Sequence, residues 1–188
     1  MIQKISAIIF LISLFVLEDY GQIFPKEYWK EIADASKLIV IGTVEDRHQA
    51  VRAEKLLRKS DGTFPNHPKE YSVGRVFRVK ITKNLKGKAI AESENRSEYI
   101  SVFLFWISGI PAMGDPVLLE NKEYLLFLEP NKKEDLKGIG LLEFTSNNEM
   151  LINPFDYKSS YLVVHGFRGA VEIKTNKKKL IKEIKKAI

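Results

Sequence analysis

Three histidines, His48, His67 and His165, are the side chains of this 188-residue chain best suited to proton transfer or metal binding near neutral pH. Their spacing supports neither role. Zinc takes three or four ligands, usually prepared by local spacing such as an i, i+4 pair on a helix, and eighteen positions separate His48 from His67. All three histidines together, or two of them with Asp61, are the only metal site the sequence offers, and solvent-facing loop histidines are the simpler reading. The chain has no cysteine, so disulfides, thiolate nucleophiles, thiolate zinc ligands and a lipid-bearing cysteine are all excluded.

Carboxylates give no stronger signal. Glu92, Glu94 and Glu98 form one dense group, and Glu134 with Asp135 another, each in a polar stretch that also holds lysine or arginine. Acids exposed in this way serve as solubilising surface rather than as a paired acid and base. Ser108-Gly109 lacks the flanks of a G-x-S-x-G elbow. Neither a Walker A loop nor a G-x-G-x-x-G turn is present. No catalytic residue, metal or cofactor is expected.

The basic residues are more informative. Residues 173–188 hold seven lysines against the single acid Glu183, a local charge of +6 that matches the net charge of the whole chain. From Asn176 onward, Leu180, Ile181, Ile184, Ala187 and Ile188 fall on one side of a helix, framed by Lys177, Lys178, Lys179, Lys182, Lys185 and Lys186. Such a helix over residues 175–188 either closes the fold, with its lysines solvated, or lies on an anionic membrane surface. The first is the reading taken, and the second is the alternative.

Arg75, Arg78, Lys80 and Lys83 accompany Phe77 on a second stretch. Alternation turns Phe77 inward and Arg78 and Lys80 outward, so the interleaved aromatics that stack single-stranded bases are missing and no nucleic-acid partner is expected. Arg75 interrupts the apolar face of that stretch, which suits an arginine near a barrel mouth with its head in water, and makes it a candidate interaction residue.

The elements that must position these residues follow from periodicity. Residues 25–36 read as a short helix with Tyr28, Trp29, Ile32 and Ala33 on one side. Strands are expected at 37–44, 71–82, 99–107, 122–129, 141–145, 150–152 and 161–165, with Asn84 to Lys88 as a turn. Gly42 inside the first marks a bulge or bend. Residues 45–70 read as a polar insertion with a helical turn near 50–58. Alternating strand and helix is absent, so the fold expected is a mainly β barrel in one domain, residues 22–188. Ahead of it, Lys4 and the apolar run at 5–17 read as an export signal over residues 1–21, too short to span a bilayer. The expected location is therefore secreted or periplasmic.

Three segments carry a family likeness: ADASKLIVIGTV at 33–44, YSVGRVFRVKITKNLKG at 71–87 and NKEYLLFLEP at 121–130. Together they resemble the netrin-like, or tissue-inhibitor-of-metalloproteinase-like, domain, and most closely bacterial exported proteins of that shape without an assigned activity. The resemblance spans about residues 30–165 and implies a five-stranded OB-type barrel with helices packed against it. Animal inhibitors of this family chelate a protease zinc through an N-terminal cysteine, which this chain lacks, and Asn121 stands where the family often has glycine. Inhibition of metalloproteases is not implied. The reading is a binding or interaction module using the loops at 45–70 and 108–120, its partner another envelope or extracellular protein. An enzyme whose site does not show in sequence spacing is the remaining alternative.

Overall fold

One long strand organises the chain. In the computed structural model, which describes residues 26–53, 72–105, 118–144, 150–156, 158–164, 169–174 and 176–188, β1 runs over Leu38–Arg52. It continues well past the expected end at Val44, so residues 45–52 belong to a strand and not to a polar insertion. The expected helical turn is contradicted over its described part, because Ala50 and Val51 pair with Leu141 and Gly140. The burial pattern hides this strand from periodicity: Val44, Ala50 and Val51 are buried, but the polar residues between them are exposed or half buried without alternation.

The remaining strands are β2 (Ser72–Lys86), β3 (Glu92–Glu94), β4 (Ser97–Phe105), β5 (Glu123–Pro130), β6 (Ile139–Phe144), β7 (Met150–Pro154), β8 (Ser160–Val163) and β9 (Ala170–Glu172). Among the described residues two helices flank them, α1 (Lys26–Ala35) and α2 (Lys177–Ala187). β1 pairs antiparallel with β2 along its whole length, β2 with β4, β4 parallel with β8, β8 antiparallel with β5, and β5 returns to residues 38–43 of β1. The sheet therefore closes into a hydrogen-bonded ring, and the fold is mainly β. Beyond residue 48, β1 changes partner: Gln49 to Arg52 pair with β6, which pairs in turn with β7.

Burial sorts the apolar residues into layers. Leu38, Val40 and Val44 of β1 join Phe77, Val79, Ile100, Val102, Leu126, Leu128 and Tyr161 inside the ring. The intervening Ile39 and Ile41 face outward with Leu125 and Phe127 of β5, and the two helices cover them with Trp29, Ile32, Ala33 and Ile184. Trp29 stacks on Phe127 with ring centroids 5.8 Å apart. Both strands read as unbroken apolar runs because each face of each is buried, one by the ring and one by helices. A third layer, on the outer face of β2 and β4, joins Val76 and Phe103 to Ala50, Leu136, Ile139 and Phe155.

Local chemistry fixes the turns and ends. α1 ends where the Ser36 hydroxyl donates to the Ile32 carbonyl at 2.6 Å and Lys86 Nζ donates to the Ala33 carbonyl at 2.5 Å, satisfying carbonyls at the negative end of its dipole. Asn121 sits at φ 60°, where its N–H donates to the Val44 carbonyl at 2.7 Å. Asparagine tolerates that left-handed backbone better than most residues. β2 runs on to Lys86 through the expected turn; the chain only bends at Gly87, φ 74°, and reverses at Asn95 and Arg96, between β3 and β4.

Gly42 lies among the register shifts between β1 and β2, at Ile41/Gly42 and nearby at Val44/Asp46. A Cβ there would collide with Val79 Cγ1 and stand 2.9 Å from the Lys80 carbonyl oxygen. Gly42→Ala is expected to destabilise the protein by about 1–3 kcal/mol through overpacking, read as a lower urea midpoint at unchanged slope. An unchanged midpoint would show that β1 and β2 can separate at this point without cost.

Candidate functional site

On the outer face of the sheet, two residues along from the buried Val76 and Phe103, the surface turns polar. Alternation puts Arg78 and Lys80 of β2 beside Ser101 and Tyr99 of β4, their direct register partners. The Arg78 guanidinium lies 4.2 Å from the Tyr99 ring centroid and donates a short hydrogen bond to Glu94 of β3. That bond, more than any other influence, raises the Arg78 pKa above its ordinary value. The cation is thus held against the aromatic face and kept from swinging away. Beside it, Glu92 Oε1 accepts a hydrogen bond from the Ser159 hydroxyl at 2.8 Å.

The other wall comes from the segment between β5 and β8. Because β6 pairs with the far half of β1, the β6–β7 hairpin lies alongside this face and carries the chain to Phe155, whose ring packs 5.7 Å from that of Phe103. Between hairpin and sheet lies a cleft of about 220 Å³ lined by His48, Val76, Arg78, Glu92, Tyr99, Ile100, Ser101, Leu141, Pro154, Phe155 and Asp156. Its floor is apolar at one end and hydrogen-bonding at the other. His48 stands at its edge, Nε2 3.0 Å from Asp46 and Nδ1 3.8 Å from Glu143.

His48 is therefore a strand residue held between carboxylates, and not a loop histidine. Its two nitrogens face different acids, which orients the ring without making one ligand set. His67 and His165, with Asp61 and Ser108-Gly109, lie outside the described residues. Among the described residues no three histidines or acids are grouped to hold a metal ion. Glu92 and Glu94 are exposed as expected, though in a short strand rather than a loop, and Glu98 is the second residue of β4. Glu134 and Asp135 lie exposed in the turn before β6.

Arg75 is half buried on β2 opposite Gln49 and Leu104. Burial first, and then the neighbouring Arg47, lower its pKa from the free guanidinium value. Arg47 itself reaches Glu120 at 3.1 Å. Neither arginine belongs to the cleft. Most of the loops expected to recognise a partner, residues 54–70 and 108–117, also lie outside the described residues; of the remainder, Leu118 is in the ring core and Leu119 is exposed.

The tail is brought to the body but not to the cleft. Ile184 is fully buried, and Leu180, Ile181 and Ala187 pack against the layer beneath the helices. Lys177 Nζ donates to both oxygens of Glu123 on β5 at 2.7 and 2.8 Å. Lys178, Lys179, Lys182, Lys185 and Lys186 remain exposed. Among the described residues no helix is long and apolar enough to cross a membrane.

Sequence reading alone missed Tyr99, Ser101, Phe155 and Asp156 as partners in one cleft. A signal existed in Ser101, the single small polar residue within the run YISVFLFWI. It marks a strand whose outer face is not wholly covered. No protein-family model matches this chain, and comparison with curated proteins returns no match either.

Two outcomes follow from this geometry. Arg78 and Glu94 are both more than one-third exposed, so a double-mutant cycle in urea should return a coupling below about 1 kcal/mol; a larger value would mean that the cleft excludes water from the pair. Ile184→Ala should cost about 2–5 kcal/mol as a fully buried truncation. A change of only tenths would show that α2 does not hold the body.

Proposed function

We propose that this chain is an exported binding or interaction module, built as a five-stranded OB-type barrel of the netrin-like kind, which takes part of a partner protein into the cleft on the outer face of β2 and β4. Ring order supports the barrel assignment. Five strands close in the order β1-β2-β4-β8-β5 with one parallel pair among them. OB barrels recognise their ligands on the face of the second and third ring strands, with help from the loop between the fourth and fifth. In this chain those are β2, β4 and the segment carrying β6 and β7, which are the walls of the cleft.

The observation that carries the reading is the Arg78–Tyr99 platform, fixed in place by Glu94 beside an apolar floor. A volume of about 220 Å³ falls below the roughly 300–1,000 Å³ typical of sites that enclose a whole small molecule. It suits a side chain or two protruding from a larger partner. The apolar run at 5–17 behind Lys4 supports export, and so supports another envelope or extracellular protein as the partner.

A photo-crosslinking residue at the exposed Asp156 tests this in the protein's own cell envelope. One crosslinked species is expected, suppressed when Ser101→Trp fills the cleft and absent when the crosslinker is placed at Glu134 instead. The same species from Glu134, or one indifferent to Ser101→Trp, would refute recognition by the cleft.

A further inference from the structure

The densest charge on the protein lies on a different face from the cleft. α2 has eleven residues, about 16 Å of helix at 1.5 Å per residue. At about 100° per residue, Lys178, Lys179, Lys182, Lys185 and Lys186 share an arc of about 120° centred nearly opposite Ile184. All five are exposed, whereas Ile184 is buried in the body. Lys177 falls outside that arc and is paired with Glu123. We propose that this outward lysine face is a docking surface for an anionic lipid bilayer, which α2 meets by charge alone while its apolar face stays packed on the body.

Three observations favour that occupant. The apolar face a membrane-inserting helix would need is already used: Ile184 is fully buried, with Leu180, Ile181 and Ala187 beside it. The cationic face holds only lysine, with no arginine fork and no aromatic, which suits a fluid array of headgroups better than bases or a shaped protein pocket. The helix also breaks its own electrostatic rule. Lys177, Lys178 and Lys179 occupy the first turn, at the positive end of the dipole, with no acid there and no side-chain cap from Asn176. A structural helix places acids at that end, and a local rule broken in this way marks charge positioned for use. Neighbouring α1 does not share the role, since among its described side chains it exposes Glu27, Glu31 and Asp34 against Lys30.

The inference does not depend on the cleft. It is tested by sedimenting the full chain with phosphatidylcholine vesicles, with and without about 30 mol% phosphatidylglycerol. Phosphatidylcholine alone subtracts any contribution of the apolar run at 5–17. Binding in excess of that reference is expected at about 0.05 M salt and should vanish by about 0.5 M. Each Lys→Gln change on the arc should lower the partition coefficient about fivefold. Lys178→Gln, Lys179→Gln, Lys182→Gln, Lys185→Gln and Lys186→Gln together should abolish the excess at undiminished thermal stability, and arginine at the same five positions should restore it. In a Trp106→Phe background, Trp29 beneath the helix reports insertion, and its emission should not shift on binding. No excess on anionic vesicles, an excess that survives the five glutamines, or a shifted Trp29 emission would each overturn the proposal. So would RNA binding that needs the five lysines while vesicle binding does not.

Discussion

β1 is hydrogen-bonded to three strands, and the rest of the molecule depends on how it shares itself among them. Its first half is bonded on one edge to β2 and on the other to β5, which closes the ring. Its second half keeps β2 but exchanges β5 for β6. A regular strand cannot do this, because two neighbours on one edge must diverge. The four register shifts against β2, with Gly42 among them, supply the bend that separates the two halves. From that bend follow the closed ring, the helical cover over one outer face and the hairpin cover over another.

The same division explains what the sequence made legible. Where both faces of a strand are buried, composition alone identifies it: residues 38–41 and 124–128 read as strands because the ring takes one set of side chains and the helices the other. α1 was equally plain, with Trp29, Ile32 and Ala33 at helical spacing and all buried. Residues 45–52 were not, because their alternation is broken by a bulge between Val44 and Asp46 and their outer face is half open. β3 and β9, three residues each, are too short for any period to register. They are strands by virtue of β4 and β5, whose free edges they complete.

The cleft was illegible for a related reason. Arg78 was correctly placed on the outer face by alternation, but its partners come from four other segments of the chain. Glu94, Tyr99, Phe155 and His48 converge only after β4 has paired with β2 and the hairpin has been laid beside them. Charge, by contrast, was legible at once in the tail, because a helix collects its residues from one short segment. What the sequence left open was whether the body or a membrane would claim the apolar face of α2; the body does. Lys177 lies near the buried stripe, where Glu123 meets its ammonium with both oxygens.

Why the cleft exists at all can be argued from the outer face of β2 and β4. Moving two residues along each strand changes Val76 to Arg78 and Phe103 to Ser101, cross-strand partners in both cases. The hairpin and Phe155 cover the first pair, where burial of apolar surface stabilises the contact. Extending that cover over the second pair would strip water from a guanidinium and its carboxylate, and desolvation of an ion pair commonly outweighs the Coulomb gain. The cover therefore stops where the side chains turn polar. What remains is a cleft with a dry end and a wet end, its cation already fixed on Tyr99, and its depth set by the same energetic boundary that ends the core.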